Sequence, residues 1–410
     1  MLSLKLEKYI WIFFCFLGIV FCSTEIYTLG DFSIFIEASK DLSKNENIYT
    51  KTYFDGYHYY YSILFALVLK LFNSFDIVFL KFIWIYLNYL CFIHLLYLLN
   101  KYYLSKLKNT KHHYQLLLVS FLFCLTFLIQ NLHSSQITLF ILWCSIYALK
   151  LIYQNKIVYG ALLLAIGVNI KILPIVLLPV LLFNGKIKAV FYVILFYFLL
   201  FVLPIISLGF DYFSVLIKSW WLLINPLTNK HVLDVEERSF HSLTTFLSVL
   251  LVENTHELYV LPIKRNILNL DMYSLKIVIF LVRIILALTS LYFINTTFIK
   301  NKYVFYKTEI GYVFVLTLVP LIFPHQQHYA FIFCLPACVL IYYYYLFFKR
   351  KFIFVLLVIS FLCFNLKLIL GEFNEYYEHF KLITYGALIL VFLLYYINSK
   401  VKNNKLLVLQ

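Results

Sequence analysis

Long apolar runs, separated by short polar segments, occupy most of this sequence. An α-helix rises 1.5 Å per residue, so a helix that crosses a bilayer needs about 20 mostly apolar residues. Most of the runs approach that length, but the run at 59–73 is short, and 157–184 breaks near Asn169–Pro174 into two short pieces. The pattern predicts helices over 9–28, 59–73, 77–99, 114–131, 136–153, 157–169, 172–184, 189–208, 274–298, 310–324, 329–348, 352–370 and 380–398.

Composition excludes a water-soluble fold. Hydrophobic residues make up 63 % of the chain and charged residues 13 %, against roughly 25 % charged in soluble domains. With only 10 Gly and 8 Pro, the chain is neither collagen-like nor disordered. Its eight cysteines form no Cys-x-x-Cys pair, so they indicate no zinc or redox motif. We predict an all-α, polytopic integral membrane protein that forms a single domain over residues 1–410.

Charge sets the predicted topology. The 34 basic and 19 acidic residues give a formal net charge of +15. In a soluble protein this would indicate nucleic acid, but in a membrane protein Lys and Arg collect in cytoplasmic loops, so we expect no nucleic-acid partner. Placing the basic clusters inside predicts twelve transmembrane helices, with 59–73 re-entrant or interfacial. Both termini are then cytoplasmic, and the protein is expected in the plasma (inner) membrane.

Two longer segments fall on the predicted outer side. The first outer loop, 29–58, contains an amphipathic stretch over 32–42 whose spacing suits a short helix on the membrane surface. The larger outer loop, 209–273, is the only sizeable polar portion and holds Arg238 and His241. Polar groups at a membrane boundary are the informative ones in a chain this apolar.

Four polar clusters precede the larger loop, and each has a structural and a functional interpretation. Asp31 follows the first apolar run and either caps the next helix or acts as a general base toward a hydroxyl. Tyr59 belongs either to an interfacial aromatic belt or to a surface for sugar stacking or phosphate contact. Gln136 ends a polar turn. Lys171 interrupts an apolar run, as a snorkelling lysine or as a point charge for a lipid-linked phosphate.

A fifth cluster lies late in the chain at 323–329. His325 and His328, three residues apart, can share a helix face. That spacing suits a metal, but no carboxylate or cysteine lies near them in sequence, and we expect no metal. Contact with phosphate or acceptor and a plain polar loop remain as alternatives. All five clusters fall on the same predicted outer side.

The clusters follow one another in a recognisable order. Asp31 stands after the first apolar run and is followed by a small helix with Ala38 and by Asn47-Ile48-Tyr49. A Tyr-Pro-Pro-like element then begins the second apolar segment as Tyr59-Tyr60-Tyr61-Ser62, here without proline. A Gly-Gln-like turn follows as Ser135-Gln136.

The order continues in the second half. A Lys-Pro-like element is present as Lys171, with Pro174 displaced, and an Asn-Gln-Ser-like element as residues 238–242. A late Ser-Pro…His-His-like element is present at 323–328. In this order, over roughly residues 28–335, the chain resembles membrane glycosyltransferases of the GT-C fold class, in particular glycosyltransferase family 87.

That resemblance implies a fold and an activity. The fold would be GT-C. The activity would be transfer of a hexose, mannose by analogy, from a polyprenyl-phosphate sugar to a glycan or glycolipid acceptor at the outer face, with inversion. Asp31 would be the catalytic base. No cofactor is implied, since the donor is a lipid phosphate that enters from the bilayer. The substrate-binding residues would be Tyr59, Gln136, Lys171, Arg238, His241, His325 and His328.

Two other functions remain open from the sequence. A transporter or flippase of lipid-linked glycans needs alternating access, and usually charged residues along a pathway in mid-membrane. Here the polar clusters gather on one face. A polymerase or ligase that joins preassembled lipid-linked glycans uses similar donors, and only the size of the product separates it from a single-sugar transferase.

Overall fold

The structure is a computed structural model that describes residues 2–28, 30–54, 56–104, 110–225, 233–235, 237–253, 255, 261–295 and 304–403. Within these ranges the regular secondary structure is helical, apart from two isolated β-bridges. The all-α prediction is therefore confirmed for the described part of the chain.

The helices follow the apolar runs closely. In the first half they are α1 Leu2–Glu25, α2 Asp31–Ser43, α3 Ile63–Lys70, α4 Ile77–Leu104, α5 Thr110–Phe123, α6 Leu125–His133, α7 Thr138–Tyr153, α8 Ile157–Ile170 and α9 Leu177–Phe183. In the second half they are α10 Ile187–Val202, α11 Ile205–Leu208, α12 Phe210–Ile224, α13 Leu243–Leu251, α14 Met272–Asn295, α15 Val304–Ile322, α16 Leu335–Phe348, α17 Lys351–Asn365, α18 Asn374–His379 and α19 Leu382–Asn403.

Six described helical stretches are long and apolar enough to cross a membrane, which gives the protein multi-pass membrane character. They are Ile77–Lys101, Ile187–Leu208, Met272–Ile294, His328–Phe348, Lys351–Leu368 and Leu382–Lys400. A seventh is present if α5 and α6, bent by 51° at their junction, form one span. Helix α3 has eight residues and is about 12 Å long, too short to cross a core of about 30 Å.

Contacts divide the chain into two compact units, each built from several stretches. The first unit comprises 1–98, 129–175 and 187–225. Within it α8 packs against both α7 and α10. Small residues permit this approach, since a Cβ on Gly160 would lie 2.8 Å from the carbonyl oxygen of Ala148.

Helix α2 lies in the same unit and corresponds to the amphipathic stretch predicted at 32–42. Its apolar face is buried among aromatic rings. Phe35 lies edge-on to Tyr61 at 4.6 Å and to Phe65 at 5.4 Å between ring centroids, and Phe32 stacks on Trp84 at 5.2 Å. This aromatic packing fixes the start of α2, where Asp31 lies. The position of α2 on a membrane surface stays a prediction.

The second unit comprises 99–128, 176–186 and 226–410. Helix α19 packs against α17 and α15, and α16 packs against α5. At the closest approach of α17 and α19, the hydroxyl of Ser360 donates to the carbonyl of Gly386 at 2.9 Å. A Cβ on Gly386 would lie 2.6 Å from the ring of Phe364, so glycine is the residue that fits there.

The break between α5 and α6 has a specific partner in this second unit. The side chain of Asn365 accepts from Thr126 N–H at 3.3 Å and from Thr126 Oγ1 at 3.0 Å, and it donates to the carbonyl of Phe123 at 3.2 Å. A helix break leaves backbone groups without partners along the helix. Asn365 satisfies one such group on each side of Cys124.

Candidate active site

Asp31 occupies the first position of α2, and Gly30 is the N-cap. The amide of Gln136 donates a hydrogen bond from Nε2 to Asp31 Oδ2. The positive end of the helix dipole also favours a carboxylate at this position. Asp31 is only partly buried. The site therefore presents an oriented carboxylate with a neutral donor beside it.

The turn that carries Gln136 approaches the start of α2 very closely. Asp31 N–H donates to the carbonyl of Ser134 at 2.9 Å. A Cβ on Gly30 would lie 2.8 Å from that carbonyl oxygen and 3.0 Å from Ser135 Oγ. The carbonyl of Ser135 accepts from Trp84 Nε1 at 2.8 Å, which fixes the turn from its other side. Glycine is needed here for space.

Tyr61 fixes the orientation of the Gln136 amide. Its hydroxyl donates to Gln136 Oε1 at 3.0 Å, and Gln136 is 1 % exposed. With Oε1 engaged by a donor, the NH₂ end of the amide must face Asp31. Tyr61, Gln136 and Asp31 thus form a hydrogen-bonded chain of defined polarity.

Lys171 follows the end of α8 and lies beside Tyr61, the first member of this hydrogen-bonded series. Its Nζ lies 5.5 Å from the centroid of the Tyr61 ring. Burial lowers the pKa of Lys171 to about 8, and the nearby Asp31 carboxylate opposes that shift. Ser62 Oγ, which caps α3, donates to Asn169 Oδ1 at 3.0 Å and ties the two segments together. The lysine is cationic at neutral pH.

Tyr59 is placed differently from the other residues predicted in this unit. Its ring is fully buried against Tyr49 and Phe35, and its hydroxyl donates to the carbonyl of Ser62 at 2.8 Å. Here it supports the Tyr61–Ser62 segment. Its contact with substrate stays a prediction.

The second unit holds a separate cluster, which includes two of the predicted histidines. His241 Nε2 lies 2.8 Å from Glu378 Oε2, and His328 Nε2 lies 2.7 Å from Glu378 Oε1. The two Nε2 atoms lie 3.3 Å apart. Lys367 Nζ lies 2.7 Å from Glu378 Oε1 and 3.1 Å from His328 Nε2. We call His241, His328, Lys367 and Glu378 the His–Glu cluster.

The charge states in the His–Glu cluster follow from burial. Burial lowers the pKa of His241 to about 3, against the influence of Glu378. Burial alone would raise the pKa of Glu378, but His328 and His241 outweigh it and hold that pKa well below its usual range. His241 is therefore neutral and Glu378 ionised near pH 7.

His325 and Arg238 lie in the loops beside this cluster. Asp234, fully buried, accepts from His325 N–H at 2.9 Å and lies 2.9 Å from His325 Nδ1. It also accepts from Ser242 Oγ at 2.5 Å, so it joins the late histidine loop to the start of α13. Arg238 Nη1 donates to Glu375 at 3.4 Å. The structure thus gathers all four residues predicted late in the chain within one unit.

Three polar residues of this second unit were not among the predicted site residues. Glu378, Lys367 and Asp234 contact the predicted histidines, but each is far in sequence from the histidines it contacts. Burial marks Glu378 and Asp234, since Asp and Glu are seldom buried unless paired. The only sequence signal is their position among apolar or aromatic neighbours, which many surface residues of this chain share.

These features define a multi-pass membrane protein with two polar clusters, one around a partly exposed carboxylate and one around a buried carboxylate. The sequence model of glycosyltransferase family 87 matches residues 59–296, more than half of the chain. The chain belongs to this family and is a glycosyltransferase. Neither the curated proteins nor the solved structures gave a match to it.

The extent of the family match is informative. It includes Tyr59, Gln136, Lys171, Arg238 and His241 and stops before the late histidine loop. The segment 29–58, with Asp31, precedes it. The family match therefore does not include Asp31, His325 or His328, and only their geometry supports a role for them.

Proposed function

We propose that the protein transfers a hexose, most simply mannose, from a polyprenyl-phosphate sugar to a glycan or glycolipid acceptor at the outer face of the plasma membrane. The fold would be of GT-C type with twelve crossings and cytoplasmic termini. Family membership supports glycosyl transfer. The sugar, the lipid donor and the outer-face acceptor extend the sequence resemblance.

The proposed mechanism is a single displacement. The acceptor hydroxyl attacks the anomeric carbon while Asp31 accepts the hydroxyl proton, and the bond from that carbon to the phosphate oxygen breaks. The lipid phosphate leaves with the bonding electrons, and the anomeric centre is inverted. A cation beside the departing phosphate stabilises the charge that develops there. Lys171 is the cation of the first unit that we assign to this role.

The Asp31–Gln136 hydrogen bond is the observation that carries this proposal. A carboxylate used only as a helix cap would be turned toward its own backbone N–H groups. Here a buried amide, itself fixed by Tyr61, orients the carboxylate from outside the helix. We expect no metal or cofactor in the transfer step.

Transfer in lipid tests the proposal directly. The purified chain in liposomes is given radiolabelled polyprenyl-phosphate mannose, with glucose and arabinose donors in parallel and membrane extract as acceptor. We expect a labelled product from one donor. Asp31→Asn should lower its rate at least about 100-fold, the contribution typical of a general base.

Two controls separate the base from the fold. Asp41→Asn changes another carboxylate of α2, so it should keep transfer within a few fold of the original. Asp31→Asn should also match the original chain in detergent elution profile and melting. Substantial transfer by Asp31→Asn would remove Asp31 as the base, and no transfer from any donor by the original chain would contradict the proposed donor class.

A further inference from the structure

The His–Glu cluster has the side chains and spacing of a metal site. One ligand atom from each of His241, His328 and Glu378 lies within 4.8 Å of the other two. All three residues are buried, at 0 %, 4 % and 5 % exposure. They come from three segments of the second unit that are distant in sequence, which is why no metal was expected from the chain alone.

Protons alone do not satisfy the contacts of this cluster. If both Nε2 atoms carry a proton to donate to Glu378, two donor nitrogens lie 3.3 Å apart and no hydrogen bond joins them. The Lys367 ammonium then also faces the N–H of His328 at 3.1 Å. If His328 Nε2 carries none, its lone pair faces a carboxylate oxygen at 2.7 Å. With Glu378 ionised, no single tautomer therefore makes a hydrogen bond of every contact in the cluster.

A divalent transition metal removes these repulsions. With Zn–N bonds of about 2.0–2.1 Å, two nitrogens of a tetrahedral site lie about 3.3 Å apart. The two Nε2 atoms are at 3.3 Å. The carboxylate oxygens lie 2.7 and 2.8 Å from these nitrogens, closer than ligand atoms around a zinc ion, so the carboxylate would recede as the metal binds. Two imidazoles with one carboxylate are a donor set that suits zinc.

Lys367 is the competitor for that position. Its ammonium contacts the same carboxylate oxygen that a metal would use, and its side chain is 23 % exposed, so it has a route outward. A dication and an ammonium cannot share so small a space, because like charges repel strongly away from water. Metal binding therefore requires Lys367 to swing away.

We propose that His241, His328 and Glu378 form a binding site for a zinc-class divalent metal, at which the Lys367 ammonium is the competing cation. The site joins three segments of the second unit, and its residues differ from Asp31 and Lys171, which we assign to the transfer step.

The test measures metal binding by the full-length chain in lipid nanodiscs, without a histidine tag. The protein is stripped with a chelator, loaded with Zn²⁺ or Co²⁺, desalted and analysed for metal by mass spectrometry. We expect about one metal per chain, as for a single site. Co²⁺ should give the intense visible absorption of a four-coordinate centre, and Zn²⁺ should raise the unfolding temperature.

Variants of the ligands and of a distant histidine make the test specific. His328→Ala and Glu378→Gln should lose the metal, the visible band and the thermal shift, whereas His112→Gln in α5 should keep all three. Because Glu378→Gln leaves the Lys367 ammonium without its carboxylate, the double variant Glu378→Gln/Lys367→Met removes both charges and serves as the control for folding. It too should bind nothing.

The decisive variant is Lys367→Met, which removes the competing charge. We expect it to bind Zn²⁺ at least about tenfold more tightly than the original chain in a chelator competition. Metal at blank level in both the original chain and Lys367→Met would overturn the proposal. Equal metal content in Glu378→Gln and the original chain would overturn it as well, since the metal would then lie elsewhere.

Discussion

Lys171 should make transfer sensitive to alkaline pH. Its pKa is lowered from 10.5 to about 8 by burial, so its charge is present below pH 8 and is lost as pH rises through that value. We expect kcat/KM for the lipid-phosphate donor to fall above pH 8. Arginine stays charged throughout this range, so Lys171→Arg should move the alkaline limb upward.

Lys171→Met provides the matching control for that pH profile. It should give a low kcat/KM without an alkaline limb near pH 8. The pH profile of Lys171→Arg decides whether Lys171 causes the alkaline limb. A limb at the same pH as in the original chain would show that another group titrates.

The Tyr61–Gln136–Asp31 chain should respond as one unit. Gln136→Leu removes the donor to Asp31, and we expect transfer to fall about 10- to 100-fold, a loss of roughly 1.5–3 kcal/mol that suits a hydrogen bond to a charged group. Tyr61→Phe removes only the hydroxyl that orients the amide and should have a smaller effect. Transfer rates of the single and double variants measure the coupling between Tyr61 and Gln136. Strictly additive losses would show that the two residues act independently.

Single residues also mark the limit of sequence reasoning. Asp31, Gln136 and Lys171 attracted attention because polar groups interrupt an apolar pattern, and the structure brings these three together. Glu378 did not, because its partners lie 50 and 137 positions away. Pairing at that distance is decided by tertiary packing, which hydropathy does not encode.

At the scale of elements, Asn365 should hold the α5–α6 break together. Asn365→Leu keeps similar volume but leaves Thr126 N–H and the Phe123 carbonyl without this partner. An unsatisfied buried group costs about 1–3 kcal/mol, so we expect a lower unfolding free energy of about that size, measured by reversible denaturation in mixed micelles. Asn266→Leu, which changes an asparagine outside the helices, should change the unfolding free energy little. Equal stability of both variants would contradict this role.

The helices were predicted to different degrees for a physical reason. Hydropathy located the long helices to within about seven residues at each end, because a span must be apolar for most of its length. The break at Cys124 was missed, since 114–131 contains no Pro or Gly and the cause lies in Asn365. Helices α12 and α13 were missed within 209–273 because they are short and amphipathic.

For the whole molecule, the predicted topology can be tested with single introduced cysteines. Lys264→Cys lies in the segment assigned outside and Gln154→Cys in a turn assigned inside, and both positions are exposed. A membrane-impermeant thiol reagent on intact spheroplasts should label Lys264→Cys alone. After permeabilisation it should label both. The original chain sets the background from its eight cysteines, and labelling of Gln154→Cys in intact cells would reverse the assignment.

The break between α5 and α6 also has a consequence for the order in which the protein is synthesised and folded. Asn365 lies 239 positions after Thr126 in the sequence. Helices α5 and α6 are therefore synthesised, and reach the translocon, well before Asn365 is synthesised. Until α17 arrives, the exposed peptide groups at Cys124 must be hydrated, held by the insertion machinery, or kept within a straighter, continuous helix. We therefore expect biogenesis to include a late maturation step, in which the contacts of Asn365 stabilise the bend between α5 and α6.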